Sequence, residues 1–218
     1  MSKKVAIILS GCGVFDGAEI NETVLTALSL DQQGAKVEFF APDIQQAAVI
    51  NHQTGKEMDE ERNVLVESGR ITRGKSRDVR ELKAADFDAV ILPGGFGVAS
   101  NLSDLSSKGT QSTIEEDTLQ AILQFKDAKK PVGLICIAPA LSAKIFGAGV
   151  RCTIGTDVDT AELIRQMGAE HEDTAVDGIV VDEEHRLVTT PAYMLTESLS
   201  EASVGINKLV KQVLAMTQ

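Results

Sequence analysis

Short apolar runs that end in glycine or cysteine recur along the chain, and helical sequence follows each of them. Residues 5–9 form the first run and lead into a glycine-rich turn, and the segments FDAVILPGG and KPVGLICI repeat this arrangement. A run without polar alternation is typical of a strand buried on both faces of a sheet. Strands that alternate with helices predict an α/β fold with a mostly parallel central sheet between layers of helices.

The rest of the sequence completes one predicted domain over residues 1–218. A polar excursion at residues 43–85 interrupts the pattern, and we expect it to hold a short helix near residues 59–68 and a hairpin, serving as a site wall or a partner surface. The segment DGIVVDEEHRLVTTP predicts two short strands around an acidic turn. Apolar residues mark one face of the first predicted helix: Ile20, Val24, Leu25 and Leu28. A longer stripe predicts the last helix: Leu195, Leu199, Ala202, Ile206, Leu209, Val213 and Leu214.

Composition and charge exclude several classes of function. With 21 basic and 32 acidic residues, the net charge is −11, and the chain lacks the basic face that nucleic acid or an anionic membrane requires. No apolar stretch approaches the ~18 residues that a membrane span needs. The three cysteines show neither a disulfide framework nor zinc spacing, which predicts a reducing, cytoplasmic compartment and no metal.

Cys136 stands where a strand passes directly into helical sequence. Pro139 fits the first turn of that helix, where a missing N–H costs nothing. A thiol at a helix N-terminus has its pKa lowered to ~3.5–7.5, which makes a nucleophile of Cys136 in a sharp strand-to-helix elbow. The alternative is a small, inert side chain that fills the corner.

Other candidates share the carboxyl edge of the predicted sheet, where ligands bind in open parallel sheets. Gly94 and Gly95 can present free N–H groups to an oxyanion, or can simply make a tight turn. Their spacing misses the dinucleotide and phosphate-loop patterns, so we predict no cofactor. Glu19 and Glu22 open the first helix, either as helix caps or, for a carboxylate beside Cys136, as a general acid and base.

The remaining cysteines and histidines carry weaker signals. Cys12 lies at the same edge and is a candidate resolving thiol. His52 and His185 lie in polar turns, where we expect them to be solvated, and His171 is the candidate for a distant histidine that completes the site.

Several of these motifs resemble one protein family. NETV, LPGGFGVASNLSD and GLICIAPAL resemble signatures of the PfpI-type branch of the class I glutamine amidotransferase-like superfamily. ILSGCGVFDGAEI, RNVLVESGRITRG, TIGTD and TTPAYML are similar to its bacterial ElbB-like group along essentially the whole chain. The resemblance implies a flavodoxin-like three-layer sandwich and a homodimer.

The resemblance also implies roles and an activity. Cys136 matches the nucleophile of the family's elbow and Glu22 its acidic partner, while Gly95 and the backbone N–H of Ile137 match its oxyanion hole. ElbB-like proteins are assigned a cofactor-independent glyoxalase activity, which converts glyoxal to glycolate and methylglyoxal to lactate without glutathione. They also carry an older label that links them to isoprenoid biosynthesis, which no residue here explains.

Two departures narrow the function that the family implies. Ile137 and Gly155 stand where other members have a histidine, which argues against glutamine hydrolysis and peptidase activity. The leading hypothesis is therefore an enzyme that converts small aldehyde substrates through a hemithioacetal on Cys136. The alternatives are a cysteine-based redox sensor or stress-protective protein, and a catalytically silent amidotransferase-like subunit that binds a partner.

Overall fold

A sheet of seven strands runs through the computed structural model, which describes residues 2–217. Its strands, in chain order, are β1 (Lys4–Ile8), β2 (Lys36–Ala41), β5 (Ser76–Asp78), β6 (Ala89–Leu92), β7 (Val132–Ile135), β10 (Val180–Asp182) and β11 (Leu187–Thr190). Two small sheets hold the rest: β3 (Ile50–Asn51), β4 (Lys56–Glu57), β8 (Arg151–Cys152) and β9 (Glu170–His171). The spatial order of the large sheet is β10-β11-β7-β6-β1-β2-β5. Neighbouring strands of this sheet pair in parallel, except β10 and β11, which pair with each other antiparallel.

Eight α-helices accompany these strands within residues 2–217. They are α1 (Ile20–Gln32), α2 (Val64–Thr72), α3 (Gly97–Ser100), α4 (Leu105–Lys108), α5 (Glu116–Asp127), α6 (Ser142–Phe146), α7 (Val158–Gln166) and α8 (Leu199–Ala215). None of these described helices combines the length and the apolar character needed to cross a bilayer.

The central strands are apolar on both faces because helices cover both faces of the sheet. In β1, Val5 and Ile7 join one buried cluster, which includes side chains of α1, α2 and α8. Ala6 and Ile8 alternate with them and join a second cluster, which includes side chains of α5, α6 and α7. This arrangement confirms the predicted three-layer α/β sandwich with a mostly parallel sheet.

The excursion at residues 43–85 differs from the prediction in two respects. The expected hairpin is present as β3 and β4, but the helix begins at Val64 rather than near residue 59. Asn63 sets this start, because its side-chain oxygen accepts the Val66 N–H at 3.0 Å as an N-cap. The excursion also supplies β5, an unpredicted edge strand of the large sheet. It is therefore part of the sandwich and not only a wall.

The predicted apolar face of α1 is largely exposed, which corrects the sequence interpretation. Ile20, Val24 and Leu28 are 42%, 50% and 47% exposed. The buried face of α1 is instead mostly polar: Glu22, Thr23, Thr26, Ser29 and Leu30.

The C-terminal elements β10, β11 and α8 agree more closely with the sequence prediction. The strands β10 and β11 flank the acidic turn as predicted. In α8 the interior stripe is buried, but Leu195 precedes the helix and Leu199 is 51% exposed.

Candidate active site

Cys136 sits at a strained corner directly after β7. Its φ of 63° lies in the left-handed region, which few residues other than glycine adopt, and its N–H donates to the Thr190 carbonyl at 2.9 Å. A 3-10 turn over Ala138–Leu141, with Pro139 inside it, precedes the five residues of α6. The corner is therefore an elbow, as predicted, although a 3-10 turn and not an α-helix follows it.

Two backbone N–H groups surround the sulfur. Those of Gly95 and Ile137 both hydrogen-bond to the Cys136 thiol, so the loop after β6 and the elbow after β7 meet at one atom. Gly95 has a φ of +98°, and a Cβ there would collide with the Gly17 carbonyl oxygen. Only glycine fits this position, because the turn after β1 presses against the loop.

Glu22 approaches the same sulfur from α1. The carboxyl group is fully buried, and its Oε2 accepts the Gly94 N–H at 2.8 Å. Its Oε1 accepts the Tyr193 N–H at 3.3 Å, and the carboxyl also hydrogen-bonds to Cys136. Glu22 thus connects the first helix, the β6 loop and the segment after β11.

The pKa of the Cys136 thiol, beside Glu22, is raised and not lowered as the sequence predicts. Burial raises the pKa of Glu22 to about 8, and the neighbouring charge of Glu19 adds to the effect. Burial, followed by the charge of Glu22, raises the pKa of the Cys136 thiol well above its usual value. The elbow therefore holds a neutral thiol beside a carboxyl group that retains its proton at neutral pH.

Glu19 serves α1 rather than the sulfur. Its side chain caps the helix by accepting the Glu22 N–H at 2.6 Å, and its own N–H donates to the Gly94 carbonyl. Burial raises the pKa of Glu19, which lines the mouth of the site.

A cavity of about 510 Å³ opens above Cys136. Its lining comes from the turn after β1, the β6 loop, the elbow, α7 and the segment after β11: Val14, Phe15, Glu19, Gly95, Phe96, Ala99, Leu105, Ser106, Cys136, Ile137, Thr160, Leu163, Tyr193 and Met194. Within residues 2–217, no group of three His, Cys, Asp or Glu side chains is arranged to hold a metal ion.

The chain has relatives among known proteins. A family model described as the DJ-1/PfpI family matches residues 3–199. The chain belongs to the DJ-1/PfpI family.

Relatives and solved structures refine this placement. The ES1 protein homolog, mitochondrial, of Rattus norvegicus is 42% identical over 98% of this chain and 84% of its own length. A human protein named glutamine amidotransferase-like class 1 domain-containing protein 3, mitochondrial, is also 42% identical, over 98% and 83%. The crystal structure of an isoprenoid biosynthesis protein with an amidotransferase-like domain from Ehrlichia chaffeensis is 36% identical over all of both chains, with a TM-score of 0.93. This neighbour bears out the ElbB-like resemblance.

More distant members of the DJ-1/PfpI family share the fold alone. DJ-1beta of Drosophila melanogaster is 19% identical over 99% of this chain and 92% of its own, with a TM-score of 0.56.

Two predicted accessory residues, His171 and Cys12, do not line the cavity. His171 lies in β9 with a fully buried side chain, and its Nε2 accepts the Ile154 N–H at 3.1 Å. Burial raises the pKa of the Cys12 thiol, and the charge of Glu67 in α2 adds to this effect while that of Arg70 opposes it. Gly155, where other members of the family were expected to have histidine, packs against Leu195. Gly155 does not line the cavity either.

Sequence reasoning missed much of the cavity wall. Thr160 and Leu163 come from α7, which carries no chemical motif. Phe15 lies within the glycine-rich turn after β1, and Phe96 directly follows Gly95. Tyr193, in the segment TTPAY after β11, supplies the N–H that Glu22 accepts.

Proposed function

We propose that the protein is a glyoxalase-type enzyme that converts small 2-oxoaldehydes to 2-hydroxy acids through a hemithioacetal on Cys136. The observation that carries the proposal is the convergence of three groups on one sulfur: the Glu22 carboxyl and the N–H groups of Gly95 and Ile137. A nucleophile, a proton carrier and a pair of oxyanion donors are what such a reaction requires.

The first step forms a bond between the Cys136 sulfur and the aldehyde carbon. Ionised Glu22 takes the thiol proton, and the carbonyl electron pair moves to oxygen, where the Gly95 and Ile137 N–H groups donate to it. Glu22 then returns the proton to this oxygen and gives the hemithioacetal. The carboxyl group reaches the thiol directly, so no histidine is needed for this transfer.

The second step moves hydrogen between neighbouring carbons. Glu22 removes the proton from the former aldehyde carbon to give an enediolate and delivers it to the adjacent carbon. The hydroxyl proton of the hemithioacetal passes to the oxygen of that adjacent carbon, which leaves a 2-hydroxy thioester. Water cleaves the thioester and restores the thiol. The net reaction adds one water, oxidises the aldehyde carbon and reduces its neighbour, and it consumes neither glutathione nor a redox cofactor.

The pKa of Glu22 gives this proposal a pH signature. Because burial raises that pKa to about 8, only about a tenth of Glu22 is ionised at pH 7. The value of kcat/KM should rise about tenfold per pH unit below pH 8 and level off above it.

The test compares glyoxal consumption and glycolate formation, without glutathione or metal, in four proteins. We expect turnover by the wild type, none by Cys136→Ala, a loss of at least about a hundredfold in Glu22→Gln, and full activity in the control Cys12→Ala. Turnover that survives in Cys136→Ala, or none by the wild type, would refute the proposal.

A second candidate function uses the same sulfur. Oxidation of Cys136 to a sulfinic acid would place its oxygens beside the N–H groups of Gly95 and Ile137. The raised pKa of the Cys136 thiol argues against a fast sensor, and Cys12 does not line the cavity, which argues against it as a resolving cysteine. Intact mass after treatment with dilute peroxide tests this second candidate. A redox sensor should gain the mass of added oxygen at Cys136 and should show negligible turnover of glyoxal.

We also propose that the protein acts as a homodimer through the exposed apolar row of α1. Ile20, Val24 and Leu28 form this row, on a helix face that is usually polar in a monomer. In light scattering, we expect a dimeric wild type, a monomeric Val24→Glu variant and a dimeric control, Val66→Glu on α2. A monomeric wild type would refute the dimer.

A further inference from the structure

The cavity above Cys136 is larger than glyoxal requires. Its volume of about 510 Å³ lies in the range of pockets that hold drug-sized ligands, whereas glyoxal carries no substituent beyond its two carbonyl carbons. A small polar aldehyde would leave most of this space to water.

The lining is apolar, and it is aromatic at the mouth. Phe15 and Phe96 are 46% and 50% exposed although they border a buried site, and Leu163 and Met194 line the cavity with them. Exposed aromatic rings at the rim of a cavity are typical of a ligand-binding surface. They offer a substrate an apolar surface that glyoxal cannot use.

Charge narrows the class of substrate further. Among the described lining residues none is basic, and Glu19, the one acidic lining residue, has a pKa that burial raises. A phosphorylated or carboxylated aldehyde would meet no cation here. The side chain of a preferred substrate is therefore neutral.

The Phe15 part of this wall is held in place by the hairpin of β3 and β4. His52 stacks on the Phe15 ring with centroids 4.9 Å apart, and its Nε2 accepts the Phe15 N–H at 3.2 Å. The Nδ1 of His52 lies 2.9 Å from the Ile50 carbonyl, and the Ile50 N–H donates to the buried Asp16 carboxylate at 2.7 Å. A wall braced in this way keeps its shape before substrate binds, which favours affinity.

Phe96 is held directly beside the reacting atoms. It follows Gly95, whose N–H donates to the sulfur, and its own N–H donates to the Val14 carbonyl at 2.7 Å. An apolar substituent next to the carbonyl under attack would meet this ring and that of Phe15.

We propose that the preferred substrates are 2-oxoaldehydes with a bulky, neutral, apolar substituent, of which phenylglyoxal is the simplest aromatic example. This inference rests on the proposed function and names its substrate class. The balance is the same as for glyoxal: phenylglyoxal and one water give mandelate, the aldehyde carbon is oxidised and the ketone carbon is reduced.

The experiment measures kcat/KM for phenylglyoxal, methylglyoxal and glyoxal from initial rates, with mandelate, lactate and glycolate as the readouts. We expect phenylglyoxal to exceed glyoxal by at least about tenfold, since even one buried methylene changes such ratios by about 10–200-fold. In Phe15→Ala the ratio of phenylglyoxal to glyoxal should fall at least about fivefold, and the exposed control Val66→Ala should keep the wild-type ratio.

The outcomes distinguish failure of the proposed function from failure of the substrate preference. Cys136-dependent glyoxal turnover without a preference for phenylglyoxal leaves the proposed function standing and overturns this inference. A Phe15→Ala ratio that is unchanged while light scattering shows an altered oligomer assigns Phe15 to a subunit contact and also overturns it. Absence of turnover with all three aldehydes refutes the proposed function and this inference with it.

Discussion

Replacing Glu22 with Gln should change how the stability of the protein depends on pH. The carboxyl is fully buried, and its pKa rises from 4.5 to about 8. The unfolded chain releases this proton above about pH 4.5, while the folded chain keeps it until about pH 8. The folded state therefore loses stability, relative to the unfolded state, as pH rises through this window.

The size of the effect follows from the width of the window. Each pH unit costs about 1.4 kcal/mol, which gives about 5 kcal/mol over the full window and about 3 kcal/mol between pH 5 and 7.5. The amide introduced by Glu22→Gln cannot titrate, and its oxygen can still accept the Gly94 N–H that Glu22 accepts at 2.8 Å. Any packing cost of the amide is constant with pH and does not affect the slope.

Urea unfolding of both proteins at half-unit steps from pH 5 to 7.5 measures the difference. Taking wild type minus variant cancels the titrating groups that lie away from Glu22, because they are common to both proteins. We expect the unfolding free energy of the wild type to fall relative to Glu22→Gln by about 3 kcal/mol over this range. Parallel curves would show that Glu22 is ionised in the folded protein and would refute the assignment of its proton.

Three further predictions concern two glycines, a buried histidine and the thiol. A Cβ on Gly94 would lie 2.9 Å from the Cys136 Sγ, so Gly94→Ala should lower the free energy of unfolding by about 1–3 kcal/mol in urea and abolish turnover. The control is Gly69→Ala in α2, where the added Cβ would lie 3.7 Å from its nearest neighbour, the Ser76 Oγ. This variant should raise the free energy of unfolding by about 0.5–1 kcal/mol. His171→Leu leaves the Ile154 N–H unpaired and should lower stability by about 1–3 kcal/mol with kcat unchanged; a loss of kcat without unfolding would make His171 part of the chemistry. Because the charge of Glu22 raises the pKa of the Cys136 thiol, iodoacetamide should alkylate Cys136 several-fold faster at pH 9 in Glu22→Gln, as followed by peptide mass; equal rates would contradict the coupling.

Features of the fold that rest on apolar burial were predictable, and those that rest on polar contacts were not. The runs of β1, β6 and β7 are apolar because both of their faces are buried, which makes them visible in the sequence. The edge strand β5 consists of Ser76, Arg77 and Asp78, so it carries no apolar signal at all. The start of α2 depends on a single side-chain hydrogen bond, from the Val66 N–H to Asn63. The acidic residues just before Asn63 include an aspartate, which is an equally good N-cap candidate, so the sequence does not single out Asn63.

In the candidate site, the positions of the main residues were predictable from the sequence, but their protonation and the cavity wall were not. Placing Cys136, Glu22 and Gly95 together needed only the family motifs and the rule that parallel strands end at one edge. The protonation of the pair was predicted wrongly, because it depends on how completely α1 buries the sulfur and the carboxyl group, which only the packed structure shows. The cavity wall was missed because α7 reaches it through tertiary contact alone.

The left-handed backbone of Cys136 means that the protein is less stable than its own fold permits. A non-glycine residue at a φ of 63° costs about 1–3 kcal/mol, and the surrounding sheet must compensate for that strain in every folded molecule. Glycine has no such penalty, so at this one position the usual advantage of alanine over glycine should be reversed, and Cys136→Gly should unfold at higher urea than Cys136→Ala. Selection for stability alone would favour glycine over cysteine at this position.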